Sequence, residues 1–504
     1  MLAKRLLSGA FLRVFNTTLG ILIALLMTPF IIRHLGDDSY GLWLLVASIT
    51  GLFGVLDFGL SVATQRSIAQ ALAAQDTRSA NVTVVTAFAT FCLVSLVIAL
   101  VTGGVAVAAP LIVHADRVHD FRIVVFLLAS SLVFLFPTYS VSGIFSANFR
   151  YDLVSQIHLV RVVARFLLIY VVVSLGGRLI SMAVITAVTD ITAGLVMMIV
   201  AGRLAPWLSW RPQYFARERL RELAHFGGAF LFVTLCERGR NALPPFAMNA
   251  TAGLSAVTLF GIAQQIYDYF VQFLLNIFGV FQPLFVRQQS VQAHGANQRD
   301  FIFVTQLALA VAAVLAVGVV GCAPDFLATW LGPRFAGSLG PLFLLVLMGV
   351  FHSSLQSSVQ VLLAYSRQKS LAILSGIELA VSAALLLPLA HAYGLEGVAV
   401  AAMLPTLLSR LFVQPMLVAR VMPLRLVEYY GTIGRNLLGL AVASYIVIRL
   451  RDNIVAVSGY PKVLLMGTVA VSVAAPIAYL CLGREARQRL LAVTSGVFAR
   501  SGSR

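Results

Sequence analysis

Fourteen apolar runs follow one another along this 504-residue chain, near 10–33, 41–63, 82–109, 122–145, 157–175, 179–202, 224–247, 254–284, 301–323, 340–363, 370–390, 395–418, 436–450 and 462–482. Nearly all are long enough for a helix to cross a hydrocarbon core of about 30 Å, which takes roughly 20 residues. The runs lack the ten-residue alternation of a membrane barrel, and lipid leaves no other way to pair every backbone group, so helices are the only reading. The chain is 60% hydrophobic and 11% charged, against roughly 25% charged in a soluble protein, and its mean hydropathy is +0.94. The expected fold class is an all-α integral membrane protein with about 14 transmembrane helices. Lys4, Arg5 and Arg13 precede the first run as in a secretory leader. No small-residue cleavage site follows before Pro29 and Arg33, so this run is expected to stay as the first span.

A net charge of +17 would suit a nucleic-acid partner, but its distribution argues otherwise. Over fourteen spans, Lys and Arg outside the membrane favour the side of the N-terminus by roughly three to one, which predicts cytoplasmic N- and C-termini. The cluster Arg211, Arg217, Arg219 and Arg221 reads as a topology and anionic-headgroup signal rather than a nucleic-acid site. Cys92, Cys236, Cys322 and Cys481 all fall inside runs without close pairing, so neither a metal nor a redox site is expected. A phosphate-binding loop of the ATPase type is absent as well. No cofactor is expected beyond a coupling ion, H+ or Na+.

The chain also repeats itself at an offset of about 217 residues. Gly36 pairs with Gly253, Arg150 with Arg367 and Gly177 with Gly394, while Pro29 and Pro245 differ by 216. Six spans make one copy. An even number of crossings brings both copies in from the same side, so their symmetry axis runs along the membrane normal. The predicted organisation is a six-helix lobe over 1–205, a cytoplasmic linker over 206–222, a second six-helix lobe over 223–425, and two accessory helices with a basic tail over 426–504. Pro29, Pro244 and Pro245 are expected to interrupt the first and seventh spans as gating kinks. Interrupted spans at matching places in two halves point to a transported-ligand site.

Ionisable groups inside a bilayer cost several kcal/mol each and default to function. The seventh span carries Glu237, Arg238 and Arg240 just before the prolines, which reads either as a cationic substrate site tempered by Glu237 or as a Glu–Arg pair locking two helices. Gln265, Asp268, Gln272 and Asn276 share one face of the eighth span, and His352, Gln356 and Gln360 one face of the tenth, by i, i+3/i+4 spacing. These stripes read as walls of a wet cavity or as interhelical hydrogen-bonding seams. Arg161 and Arg165 in the fifth span either join the cavity or snorkel to headgroups. Asp57, Asp190, Glu378 and Arg410 are single intramembrane charges, each a candidate ion-pair partner or proton site. Asp57, Glu237 and Asp268 are the candidates for ion coupling.

Leu35-Gly36-Asp37-Asp38-Ser39-Tyr40-Gly41-Leu42-Trp43, then Leu56-Asp57-Phe58-Gly59-Leu60-Ser61 and Arg66, resemble the opening of polysaccharide transporters of the O-antigen flippase (Wzx-type) family, in the multidrug/oligosaccharidyl-lipid/polysaccharide (MOP) exporter superfamily. Glu237-Arg238 is similar to the acidic-Arg pair of that family's seventh span, and Tyr393-Gly394-Leu395-Glu396-Gly397-Val398-Ala399 resembles the start of its twelfth. The likeness runs from about 10 to 420, with Gly239-Arg240 a departure from the usual apolar residues. It implies two six-helix lobes in a V and transfer of an undecaprenyl-pyrophosphate-linked oligosaccharide (O-antigen, capsule or exopolysaccharide repeat) from the cytoplasmic to the periplasmic leaflet of the inner membrane by alternating access. It implies a transporter rather than an enzyme, a monomer, and a glycan polymerase or chain-length regulator as protein partners. The rivals are a drug/cation antiporter of the same superfamily, which would need mainly acidic cavity charges, and a membrane glycan polymerase or ligase, which would need a large periplasmic loop absent here.

Overall fold

The computed structural model describes residues 2–57, 59–225, 228–278, 294–365, 367–453 and 458–490, and among them only helices and turns occur. It divides into two compact units, Met1–Thr258 and Leu259–Arg504. The first unit holds α1 (Leu2–Leu35), α2 (Asp37–Phe53), α3 (Leu60–Ala73), α4 (Thr77–Val107), α5 (Ala109–Ile112), α6 (Val118–Leu135), α7 (Ser142–Ala147), α8 (Tyr151–Ser174), α9 (Leu179–Leu204), α10 (Arg217–His225), α11 (Gly228–Ala252) and the start of α12 (Leu254–Phe278). The second holds the rest of α12, then α13 (His294–Trp330), α14 (Leu339–Ser354), α15 (Gln356–Ala364), α16 (Gln368–Leu408), α17 (Gln414–Ala419), α18 (Leu426–Asn453) and α19 (Tyr460–Cys481).

Eleven stretches are long and apolar enough to cross a membrane. One of them, Gln368–Ala419, reverses inside α16 at Gly394, whose φ of 58° and ψ of −131° are not helical, and therefore carries two crossings. A positive φ of this kind favours glycine, and three residues on an added Cβ at Gly397 would collide with the Leu389 carbonyl oxygen. With α11 and α12, each 25 residues long, the described residues hold fourteen long helices, the number expected for an all-α membrane protein of this hydropathy. Several crossings are composite: α2 and α3 join through the tight turn Gly54–Asp57, and α6 and α7 through Phe136–Val141.

The internal repeat is written into the backbone. Gly36 and Gly253 both adopt positive φ, 83° and 80°, just ahead of α2 and α12. Arg150 and Arg367 precede α8 and α16 with φ, ψ of −101°, 45° and −89°, 32°. At the third pair the left-handed residue is Gly176 (φ 92°) rather than Gly177, so the connectors align at 218. Gly177 is a glycine for another reason, since a Cβ there would press on the Val172 carbonyl. The prolines expected as gating kinks lie inside helices: α1 runs on past Pro29, and α11 past Pro244 and Pro245, so neither span ends at them. Each proline removes a single backbone donor and weakens its helix locally; six helical residues follow Pro29 and seven follow Pro245.

The two helices without a repeat partner, α18 and α19, pack on each other and on α13. Close approach is set by small residues: a Cβ at Gly439 would lie 2.5 Å from Cys481 Sγ, and one at Gly321 2.7 Å from Val447 Cγ1, the kind of seam that dispersion stabilises where lipid removes the hydrophobic drive. Asp325 near one end of α13 accepts from Arg451 Nε at 3.0 Å and pairs with Lys462 Nζ at 3.2 Å, and at the other end Asp300 accepts from Arg489 Nη1 at 2.6 Å. Asp325→Asn is expected to cost about 1–3 kcal/mol, the worth of hydrogen bonds to a charged group. Thermal unfolding in detergent checks this; an unchanged melting temperature would mean that α18 and α19 are held by small-residue packing alone.

Candidate functional site

In the first unit, α8 and α9 lie side by side, and the i, i+4 spacing turns Arg161 and Arg165 to the same face. Both converge on Asp190 of α9, which is 9% exposed. Arg161 Nη1 donates to Asp190 Oδ1 at 3.1 Å, and Arg165 Nη2 donates to the same oxygen. Arg165 Nε also donates to Thr189 Oγ1 at 3.2 Å, and Arg161 Nη2 donates to His158 Nδ1 at 2.8 Å. Arg161 and Asp190 each stand near the middle of their helix, so the two arginines turn inward to a carboxylate instead of snorkelling to headgroups. One carboxylate against two guanidiniums leaves the cluster with a net positive charge. Beside it runs an apolar groove of about 390 Å³, lined by Val160, Leu168, Val188 and Val196, with Arg161 and Thr189 in its wall.

Helix α11 presents Glu237 and Arg238 exposed, and neither has a hydrogen-bond or ion-pair partner among the described residues. Arg240, two residues on, is only 4% exposed. The helix-locking pair between Glu237 and Arg238 is thus not formed. Asp57 lies at the turn before α3, where Oδ1 accepts the Ser61 N–H at 3.1 Å and Oδ2 the Ser61 hydroxyl at 2.7 Å. It caps the first turn of α3 in the manner of an N-terminal carboxylate.

The stripe on α12 is partly satisfied within its own helix. Gln265 Nε2 donates to Tyr269 Oη at 2.8 Å, Gln264 Nε2 donates to the exposed Asp268 at 2.8 Å, and Gln272 is exposed. The side chain of Asn276 lies outside the described residues. In the second unit, the stripe over α14 and α15 meets the buried Arg410, whose Nη1 donates to the His352 carbonyl at 2.8 Å and to Gln356 Oε1 at 2.5 Å. Gln360 is half-buried. Glu378, 6% exposed, accepts the Thr406 hydroxyl at 3.1 Å.

Asp190, the centre of the α8–α9 cluster, was legible only as one of four isolated charges, although an acid in the span next to an i, i+4 arginine pair is a usable signal. A second contact had no signal except the repeat. The Ser255 hydroxyl donates to Asp38 Oδ1 at 2.6 Å, and these positions are 217 apart, the offset of the two copies. The Thr258 hydroxyl donates to the Asp37 carbonyl at 2.6 Å. The start of α2 and the start of α12 therefore meet inside the first unit.

Comparison with known proteins agrees with this architecture. EpsK of Bacillus subtilis (strain 168), an uncharacterized membrane protein, is 23% identical over 490 residues, covering 94% of this chain and 95% of the relative. The lipid II flippase MurJ in an inward closed conformation matches with a TM-score of 0.73 at 10% identity, covering 93% of this chain and 98% of that one. An inward-facing multidrug resistance MATE family transporter of the MOP superfamily matches with a TM-score of 0.67 at 15% identity, covering 79% and 95%. At these identities the structural likeness is one of fold. The family model described as polysaccharide biosynthesis protein matches residues 6–289, more than half of the chain. This chain therefore belongs to the polysaccharide biosynthesis protein family and has the fold of MOP-superfamily membrane proteins.

Proposed function

We propose that the protein is a flippase that carries an undecaprenyl-pyrophosphate-linked oligosaccharide from the cytoplasmic to the periplasmic leaflet of the inner membrane, with both termini in the cytoplasm. The observation that carries this reading is the exposure of Glu237 and Arg238 on α11 without a partner among the described residues. Charges on a spanning helix that neither pair nor hide face a water-filled space, and a hydrated, partly cationic space suits a pyrophosphate. The groove beside Arg161 supports the same reading. It sets an apolar wall for a polyprenyl chain next to a net-positive cluster, so headgroup and tail would find opposite surroundings within one lobe. Membership of a polysaccharide biosynthesis family favours a glycan over a drug, and it favours transport over polymerisation in a chain without a large loop between spans. Proton or sodium coupling through Asp57, Glu237 or Asp268 belongs to this proposal, as does assembly with a glycan polymerase.

The test is a cell in which this gene is the sole source of flipping. Arg238→Ala together with Arg240→Ala should reduce surface glycan at least tenfold while the membrane holds as much protein as before, because removing both guanidiniums strips the seventh span of its cation. Normal surface glycan in that double variant would overturn the site. Cysteines placed at 238 and 272 should also react with a membrane-impermeant thiol reagent, and protection of both would remove the hydrated space.

A further inference from the structure

Between the start of α13, the start of α18 and the segment that follows α19 lies a second charged cavity, of about 380 Å³. Arg299, Arg435, Arg484 and Arg489 line it against two carboxylates, Glu428 and Glu485. Glu485 is engaged by Arg489 Nη2 at 2.9 Å, and Arg489 Nη1 binds Asp300 at 2.6 Å. Arg299, Arg435 and Arg484 are exposed and form no ion pair with a described residue. Three guanidiniums consequently face the cavity against Glu428 alone.

The floor is neutral and tied together. Gln306, 6% exposed, donates through Nε2 to Thr432 Oγ1 at 3.1 Å and accepts the Gly483 N–H at 3.3 Å. A Cβ at Gly483 would come within 3.3 Å of that amide, so the chain passes close over it. One side chain thereby fixes the three elements that carry the arginines. All three reach the cavity at the same membrane boundary: the spans containing α13 and α18 begin at Gln298 and Leu426, and α19 ends at Cys481.

We propose that this cavity binds a phosphate-bearing anion, with an anionic phospholipid headgroup as the source its position favours. Planar guanidiniums match phosphate oxygens in pairs, and a basic pocket between spanning helices at headgroup depth is where anionic lipid binds. The bound group would brace α18 and α19, which have no counterpart in the repeat, against α13. The site is separate from the residues assigned to flipping, and its occupancy is measured without a transport assay.

The experiment is thermal unfolding of the full-length protein in neutral detergent, titrated with phosphatidylglycerol mixed micelles and, separately at fixed ionic strength, with inorganic phosphate. The wild-type melting temperature should rise saturably with phosphatidylglycerol. Arg299→Gln with Arg435→Gln and Arg484→Gln should need on the order of 100-fold more lipid, since each basic side chain near a membrane surface contributes about fivefold. Lysine at the same three positions should recover most of the response, Arg299→Gln alone should weaken it about fivefold, and Arg178→Gln, exposed at the start of α9, should leave it unchanged. Saturation by inorganic phosphate, lost in the triple variant, would support the phosphate site and make a soluble anion its source. Equal responses of the wild type and the triple variant, or none in either, would overturn the proposal.

Discussion

Asp190→Asn is expected to leave little folded protein after detergent extraction, with a loss of about 3–5 kcal/mol, the cost of removing one partner from a buried ionic cluster. Arg161 and Arg165 both donate to Asp190 Oδ1, so neutralising it strands two mostly buried guanidiniums at mid-helix depth, with no other acid paired to either among the described residues. The cost comes from the stranded charges. A triple variant with Arg161→Met, Arg165→Met and Asp190→Leu should therefore recover most of the loss, because replacing a whole buried cluster by hydrophobic residues of similar volume is often close to neutral. Heating of detergent-extracted wild type and the three variant sets, followed by the monodisperse fraction, checks both halves. A single variant as stable as wild type, or a triple variant worse than the single, would show that the cluster is held by other packing. If the α8–α9 site serves transport, the stable triple variant should fold and still fail to flip.

Gly41→Ala should be nearly as damaging, whereas Gly51→Ala in the same helix should be harmless. An added Cβ at Gly41 would run into the Leu254 carbonyl oxygen, stand 2.8 Å from the Leu254 carbonyl carbon and 3.0 Å from Thr258 Oγ1, whereas nothing lies within 4 Å of one at Gly51. A backbone carbonyl cannot rotate away as a side chain can, so α2 would have to lift off the start of α12 and give up the Ser255–Asp38 and Thr258–Asp37 bonds. Overpacking of this kind costs about 1–3 kcal/mol or more, before those two bonds at about 1 kcal/mol each are counted. At Gly51 the same change should stabilise by roughly 0.5–1 kcal/mol through helix propensity. Melting temperatures of the two variants should fall on opposite sides of wild type, and a Gly41→Ala protein at or above wild type would refute the close approach.

Most of the fold was open to reading along one dimension. Whether a run is long and apolar enough to cross, whether Gly36 and Gly253 recur at one offset, and whether a connector such as Gly394-Leu395-Glu396-Gly397 can reverse the chain are properties of short windows. The prolines lie inside α1 and α11 rather than ending them, because a proline deletes one hydrogen bond and the residues around it keep theirs. The site was legible in kind but not in partnership. Glu237 and Arg238 are sequence neighbours, yet their side chains lie about 100° apart around α11 and form no pair, while Arg161 and Arg165 found their acid 29 and 25 residues away.

What the residues determined without help is the solvent this chain folds in, the fourteen helices that solvent demands, and the duplication that sets their order, because hydropathy and periodicity are summed locally. Only the tertiary structure decided which charges neutralise each other, that Gln356 serves Arg410, and that Gly41 must be bare for Leu254 to approach. Those outcomes depend on the angle at which each side chain leaves its helix and on which helix lies opposite, and both are set by packing between segments that can be more than 200 residues apart.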